Sequence, residues 1–392
     1  MNRGVLHRAA IFSIKCFLFL RLLTSLVVLA AILWIPPQIQ PPEAASVQAY
    51  LAPLEKGGPF IQYFIAPWYR WDTVHYLEIA DHGYASKPVN TIWPPLYPLL
   101  TRLASILFTP SLLAALVVSN LAAILAWTLL YLWAADVWDE KIARDSVLWA
   151  VVFPTAFLWM AGYSESLFLV LAVGCVYAFR KSRWILAGLA GAGAILTRWQ
   201  GIILFVPLGW LWFQAVFIQK RMTFRQAMPM LIPPILMAVA GVGFLLYVRI
   251  GSGYSMPWET ISNWSQHFAL PWEGFAGTLE SLLSPSGDVV SAIGHFFDLL
   301  ISGGAIALLI AQYRRIPTEY ILYAAAGIFL TITKVDNLSQ LTDASRYVLG
   351  VFPLFAALAL TLKKWGKAAW FAFALLSLVV LTILFFEWAW MA

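Results

Sequence analysis

The chain is 392 residues long, 61% of them apolar and only 11% charged, with a formal charge of +6. Soluble domains carry charge at roughly a quarter of positions, so a surface facing water over most of its area is excluded, and an all-α polytopic membrane protein is expected. Two cysteines, Cys16 and Cys175, both in apolar runs, argue against a disulfide framework and a thiolate metal site.

In chain order, the N-terminus carries Arg3, Arg8 and Lys15 and then an apolar run to Ile35. A cleaved signal peptide would need Val47-Gln48-Ala49 as its cleavage site, well past the apolar stretch and beyond Pro36-Pro37 and Pro41-Pro42. An uncleaved anchor with the N-terminus inside fits better. Arg21, about one and a half turns on from Lys15, is expected to snorkel toward the cytoplasmic headgroups. About eleven spans follow from hydropathy, at roughly 11–35, 111–135, 146–162, 165–180, 184–197, 200–218, 229–248, 290–312, 319–333, 346–362 and 368–390. The proline-led segment 95–108 is too short to span and reads as an interfacial or re-entrant helix. The whole of 1–392 reads as one membrane domain, with a first outer loop at 36–110 and a second at 249–289.

The basic residues test this threading. With the N-terminus inside, the joints expected in the cytoplasm hold Lys141/Arg144, Arg180-Lys181/Arg183, Lys220-Arg221/Arg225, Arg314-Arg315 and Lys363-Lys364/Lys367; with the N-terminal three they make sixteen of the 25 Lys and Arg. The excess is therefore a positive-inside signal and calls for no nucleic-acid partner. Asp72, Glu78, Asp81, Glu165, Asp336 and Asp343 fall outside, which puts any chemistry on the non-cytoplasmic face. Asp336 and Asp343 read as part of a solvated turn, Asp298 is an exception within a span, and His267 and His295 carry no signal. Gly188, Gly191 and Gly193 read as small-residue packing between spans. No strand pattern and no Gly-rich phosphate loop is present, which argues against a nucleotide-sugar donor.

The most informative stretch is Trp68-Tyr69-Arg70-Trp71-Asp72-Thr73-Val74-His75-Tyr76-Leu77-Glu78-Ile79-Ala80-Asp81-His82-Gly83-Tyr84. Read as a helix it sets Asp72, His75, Tyr76 and Ile79 on one face, and Gly83 is a natural stop. Its aromatic residues would hold it flat on the bilayer surface. A carboxylate there is only partly solvated, which raises its pKa and suits a general base acting on a lipid-borne substrate. The plainer alternative is that Asp72 pairs with Arg70 or caps the helix.

Arg70-Trp71-Asp72 followed by Tyr76-Leu77-Glu78-Ile79-Ala80-Asp81-His82-Gly83-Tyr84 resembles the signature of the PIG-V-like mannosyltransferases. Arg21 in Phe-Leu-Arg-Leu-Leu, Ser164-Glu165-Ser166-Leu167-Phe168, Thr197-Arg198-Trp199-Gln200-Gly201 and Ser345-Arg346-Tyr347 with Phe352-Pro353-Leu354-Phe355 are similar to further family elements in the same order. Two departures stand out: Trp93-Pro94-Pro95 replaces the usual Phe-Phe-Pro, and Ala85–Ile92 carries no acid where the family usually has one.

The resemblance implies a GT-C bundle with an amphipathic interfacial helix in the first outer loop. It further implies an inverting transfer of a hexose, with mannose indicated, from a polyprenyl-phosphate donor to a hydroxyl of a lipid, glycan or protein acceptor. Asp72 would be the catalytic base. Arg346, with Arg198 and Lys334 behind it, would meet the donor phosphate, since guanidinium grips phosphate oxygens bidentately; Trp71, His75, Tyr76 and Glu165 would meet sugar or acceptor. Arg198 and Arg346 are also placed to snorkel, and Glu165 to serve a helix N-terminus. A divalent ion on Asp72, His75 and Glu165 lacks the Asp-x-Asp or Glu-x-Asp pair that would support it, so no cofactor is expected. Short loops point to a prokaryotic plasma membrane. The rival reading is a transporter or lipid-carrier flippase, whose ionisable groups would sit near the midplane on repeated, interrupted helices.

Overall fold

The computed structural model describes residues 3–35, 39, 44–85, 87–251, 255–284, 289–338 and 340–389; the proline pairs expected to end the first span, and parts of both outer loops, lie outside these. The long apolar runs form α1 (Arg3–Trp34), α5 (Ser111–Val137), α11 (Ile232–Gly251), α14 (Val289–Gln312) and α18 (Lys364–Phe386). Between α1 and α5 stand α2 (Ala44–Glu55), α3 (Asp72–His82) and α4 (Leu96–Ala104). The middle of the chain forms α6 (Glu140–Val151), α7 (Glu165–Arg180), α8 (Trp184–Thr197), α9 (Phe205–Phe213) and the single turn α10 (Phe224–Ala227). The second outer loop holds α12 (Pro257–Thr260) and α13 (Pro271–Leu283), and α15 (Thr318–Ile332), α16 (Ala344–Tyr347) and α17 (Pro353–Thr361) complete the set.

Six helical stretches among the described residues are long and apolar enough to cross a membrane: Arg3–Trp34, Ser111–Val137, Trp199–Ile218, Phe224–Ile250, Val289–Gln312 and Lys364–Phe386. The remaining expected spans are short or broken. Helices α7, α8 and α15 have 16, 14 and 15 residues, about 21–24 Å of rise against a hydrocarbon core of about 30 Å. The run 146–162 is not one helix: α6 ends at Val151, Pro154 follows, and the chain continues as turns and a 3-10 segment to Glu165. That irregular backbone is buried and tied by side chains: Thr155 Oγ1 donates to the Ser345 carbonyl, Ser166 Oγ to Trp159 and Ser119 Oγ to Tyr163. Non-helical backbone survives in such surroundings because protein, not lipid, satisfies it. The run 346–362 is likewise broken, with a bend of 94° between Ala344–Gly350 and Pro353–Thr361.

Several of the joints expected in the cytoplasm meet one another through ion pairs. Arg8 pairs with Glu140 at 2.6 Å, Lys181 with Asp136 at 2.6 Å, and Lys367 with Asp145. Arg21 does not snorkel. Its guanidinium lies 4.8 Å over the Trp68 ring and donates to the Met160 carbonyl at 3.4 Å, because the turn before α3 offers a π-face and the irregular run at 152–164 a carbonyl. The glycines of α8 do pack between helices: a Cβ on Gly188 would strike Leu236, and one on Gly191 would strike Met237 and Cys175. Contrary to the all-helical reading, strands β1 (Gln266–Phe268) and β2 (Lys334–Asp336) pair antiparallel, Gln266 opposite Asp336, and bring the second outer loop over the end of α15.

Gly201 fixes one approach that the site depends on. A Cβ there would lie 2.5 Å from the backbone nitrogen of Ile195 and 2.7 Å from the Ala194 carbonyl carbon, so the turn after Arg198 folds back onto α8 only with glycine. Gly201→Ala is expected to cost about 1–3 kcal/mol through overpacking, read as a lower Tm in detergent.

Candidate active site

Helix α3 begins at Asp72, where a carboxylate in the first turn suits the helix dipole, and ends at Gly83, whose φ of 73° closes it. Asp72, Thr73, Tyr76, Leu77, Ile79 and Ala80 are buried. The helix is thus wedged among its neighbours, not spread on the bilayer surface, since its apolar side chains face protein. Helix α4 is the amphipathic one here, burying Tyr97, Pro98 and Thr101 and exposing Leu99 and Leu103.

Asp72 pairs neither with Arg70 nor with a cap. Its Oδ2 accepts from Arg346 Nη2 at 2.6 Å and from Trp93 Nε1 at 3.3 Å, and its backbone N–H donates to the Tyr163 hydroxyl at 3.2 Å. No hydrogen bond reaches Oδ1 among the described residues. Arg70 instead donates Nε to the Phe386 carbonyl at 3.1 Å. Asp72 is 8% exposed. Burial pushes its pKa up, but the Arg346 guanidinium and then His75 outweigh this and leave it below the ordinary carboxylate value. The raised value expected from partial desolvation is therefore not what the fold produces, because an arginine from 274 positions along the chain sits against the carboxylate.

Arg346 bridges two acids. Its Nη2 serves Asp72 while its Nε binds Glu165 Oε1, which also takes Nη1 of Arg198. Arg198 donates further to Gln200 Oε1 at 2.6 Å and Ser164 Oγ at 3.2 Å, and Ser164 Oγ is 2.6 Å from the Tyr76 hydroxyl. All four ionic groups are buried. Lys334 Nζ donates to Asp343 Oδ2 at 2.8 Å and to the Tyr347 hydroxyl at 2.6 Å; burial works against its charge, but those two partners raise its pKa. Asp343 is consequently buried at 4% exposure with a left-handed φ of 58°, not in a solvated turn, because it is the counterion of the half-buried Lys334. Asp336 does sit in a turn, accepting the N–H groups of Leu338 and Gln340 at 2.9 Å. Asp298 explains itself: from within α14 its Oδ1 accepts the Ser345 N–H at 2.8 Å, anchoring the helix that carries Arg346.

Trp71, Asp72, His75, Tyr76, Arg198, Lys334 and Arg346 line one cavity of about 690 Å³, within the size range of ligand pockets. Glu165 does not line it; its carboxylate lies behind the two arginines. Trp93, in the Trp93-Pro94-Pro95 motif noted in the sequence, lines the cavity and stacks on His75 at 4.4 Å and 12°; two residues without a signal of their own are Trp388, which lines it from just beyond α18, and Tyr163, whose hydroxyl accepts the Asp72 N–H. Trp93 stands in a motif already conspicuous for its prolines, whereas Trp388 closes an apolar run and carries no local signal. Among the described residues no group of three or more His, Cys, Asp or Glu is placed to hold a metal ion.

Comparison with known proteins follows the same line. The profile that describes the family Mannosyltransferase (PIG-V) matches residues 12–255. GPI mannosyltransferase 2 of Yarrowia lipolytica (strain CLIB 122 / E 150) is 26% identical over 141 residues, 35% of this chain and 38% of that protein, so the match spans well under half of the relative's length. Among solved structures, ArnT from Cupriavidus metallidurans bound to undecaprenyl phosphate superposes with a TM-score of 0.51 and 15% identity, covering 89% of this chain and 76% of that one. The Archaeoglobus fulgidus oligosaccharyltransferase tethered with an acceptor peptide gives 0.45 and 14%, over 95% and 55%. The ArnT likeness bears on the fold, which is of the GT-C type.

The arginine cluster makes Glu165 a structural pivot. Glu165→Ala leaves two buried guanidinium groups facing each other and is expected to cost about 3–5 kcal/mol, seen as a large fall in Tm. Asp72→Asn keeps an oxygen for Arg346 and Trp93 and should leave Tm within a few degrees.

Proposed function

This chain belongs to the Mannosyltransferase (PIG-V) family, and we propose that it transfers a hexose, mannose by family, from a polyprenyl-phosphate donor to an acceptor hydroxyl. The observation that carries the reading is the division of the Asp72 carboxylate at the cavity wall: Oδ2 is held by Arg346 and Trp93, and Oδ1 is left to take a proton.

The acceptor O–H gives its proton to Asp72 Oδ1 as its oxygen attacks the anomeric carbon. The bond from that carbon to the phosphate oxygen breaks, and the polyprenyl phosphate leaves with the bonding pair, so the configuration inverts. Arg346 is the first group for the phosphate. Its Nε and Nη2 are engaged with Glu165 and Asp72, and no hydrogen bond from Nη1 is formed among the described residues, which leaves an edge of the fork for phosphate oxygens. Arg198 and Lys334, on the same cavity, add positive charge where the leaving group develops its own. His75 and Tyr76 face the sugar or acceptor from α3, and Trp71 from the turn before it. Glu165 acts through the arginines, holding both at the cavity wall.

A phosphate docking on Arg346 also changes Asp72. The guanidinium suppresses its basicity; an anion sharing that guanidinium raises its proton affinity when a base is needed. The reaction belongs on the non-cytoplasmic face, since the positive-inside signal assigns the basic joints to the opposite side. A surface position for α4, with Leu99 and Leu103 in the headgroup layer, fits a lipid-borne donor reaching the cavity sideways.

Asp72→Asn is expected to lower transfer from a polyprenyl-phosphate mannose donor by about 10²–10⁴ with folding intact; retained transfer would overturn the assignment. For the wild-type protein, the acid limb of kcat/KM for the donor should lie below the ordinary carboxylate range, about pH 4, because Asp72 is lowered in the free enzyme. The acid limb of kcat should lie higher, because the bound phosphate draws on Arg346. Coincident limbs would remove the coupling.

A further inference from the structure

Backbone strain is concentrated at this cavity. Six non-glycine residues among those described have positive φ, and four of them, Trp71, Ser265, Asp343 and Trp388, line the cavity. A bulky residue at positive φ is an outlier that persists only where the surroundings enforce it, and such positions cluster at binding sites. Two of the four are tryptophans, Trp71 at 49° and Trp388 at 61°. They come from opposite ends of the chain and meet with ring centroids 5.6 Å apart at 62°.

The join is held from behind. Arg70 lies 4.6 Å over the Trp388 ring and donates to the Phe386 carbonyl, so the residue two before Asp72 clamps the end of α18 in place. An indole pair serving only to pack could be supplied from ordinary backbone at less cost. Here both strained residues line the cavity that Asp72 lines, with Trp388 8% exposed.

We infer that Trp388, together with Trp71, forms the wall on which a pyranose ring stacks as it is brought to Asp72, and that Trp388 is a substrate-binding residue. The inference rests on the sugar-transfer reading above. The chemistry fits: a pyranose presents a flat face of C–H bonds to an indole while its hydroxyls turn to the polar groups alongside, and here Asp72 and His75 line the same cavity. Donor and acceptor sugars share this chemistry, and separate kinetics for each tell which ring is held.

Trp388→Phe, Trp388→Leu and Trp388→Met, each purified in detergent with its Tm recorded, are compared for KM toward the polyprenyl-phosphate sugar and toward the acceptor. The phenylalanine variant keeps a flat ring and should stay within about 3-fold of wild type. The leucine variant, equally apolar but without a face, should raise one KM by about tenfold or more with kcat changed far less; the methionine variant serves the same purpose if leucine does not fold. A rise in donor KM assigns the donor ring, and a rise in acceptor KM the acceptor ring. If leucine and methionine lower Tm but leave both KM values unchanged, Trp388 is packing alone and the inference is overturned. Failure of the wider reading looks different: Asp72→Asn would then remain active.

Discussion

Everything at the site hangs on the two-sided grip of Arg346. One guanidinium joins Asp72 on α3 to Glu165 at the start of α7, and Glu165 passes the connection to Arg198 at the end of α8. These partners are 274, 181 and 33 positions apart pairwise, so the contact closes only when the whole bundle has assembled. Burying ions is costly unless each is paired. Here the charges close on themselves: Arg198, Arg346 and Lys334 against Asp72, Glu165 and Asp343. The network is balanced, three cationic side chains against three carboxylates.

The broken backbone around this cluster follows from the same demand. The segment that carries Arg346 is set at 94° to the helix that follows it, Ala344–Gly350 against Pro353–Thr361. Asp298 meets the N-terminal side of α16 from within α14, and Tyr323 supports Gly350 by donating to its carbonyl at 2.8 Å. Ser164 and Glu165 arrive similarly, at the close of the irregular run from Val152 that Pro154 introduces.

The sequence shows where the chemistry-bearing residues are but not how they are joined. Hydropathy located the apolar runs, because that signal is local and summed over many residues. The face of α3 was legible from its spacing. Hydropathy does not distinguish a run that crosses as one helix from one that folds back under cover of protein, since both are equally apolar. That is why 146–162 reads as a span. The same blindness placed Asp343 in solvent: nothing near it in sequence announces Lys334, which reaches it across a loop. Local sequence suggests a partly solvated base at Asp72 with a raised pKa, because the nearest cation along the chain is Arg70, whereas the one against its carboxylate is Arg346.

Trp388 carries the point furthest. Its neighbours in sequence are those of any membrane helix end, where tryptophan is ordinary. Only the fold reveals that α18 ends against the turn before Asp72, with Arg70 spanning the gap. A cavity assembled from the ends of so many separate helices has few residues whose function can be read from their neighbours. Its strained φ values mark where those ends are forced together, and the concentration of strain at Trp71, Ser265, Asp343 and Trp388 outlines the pocket without reference to any charge. Electrostatics and backbone geometry are independent physical quantities, and here both converge on the wall beside Asp72.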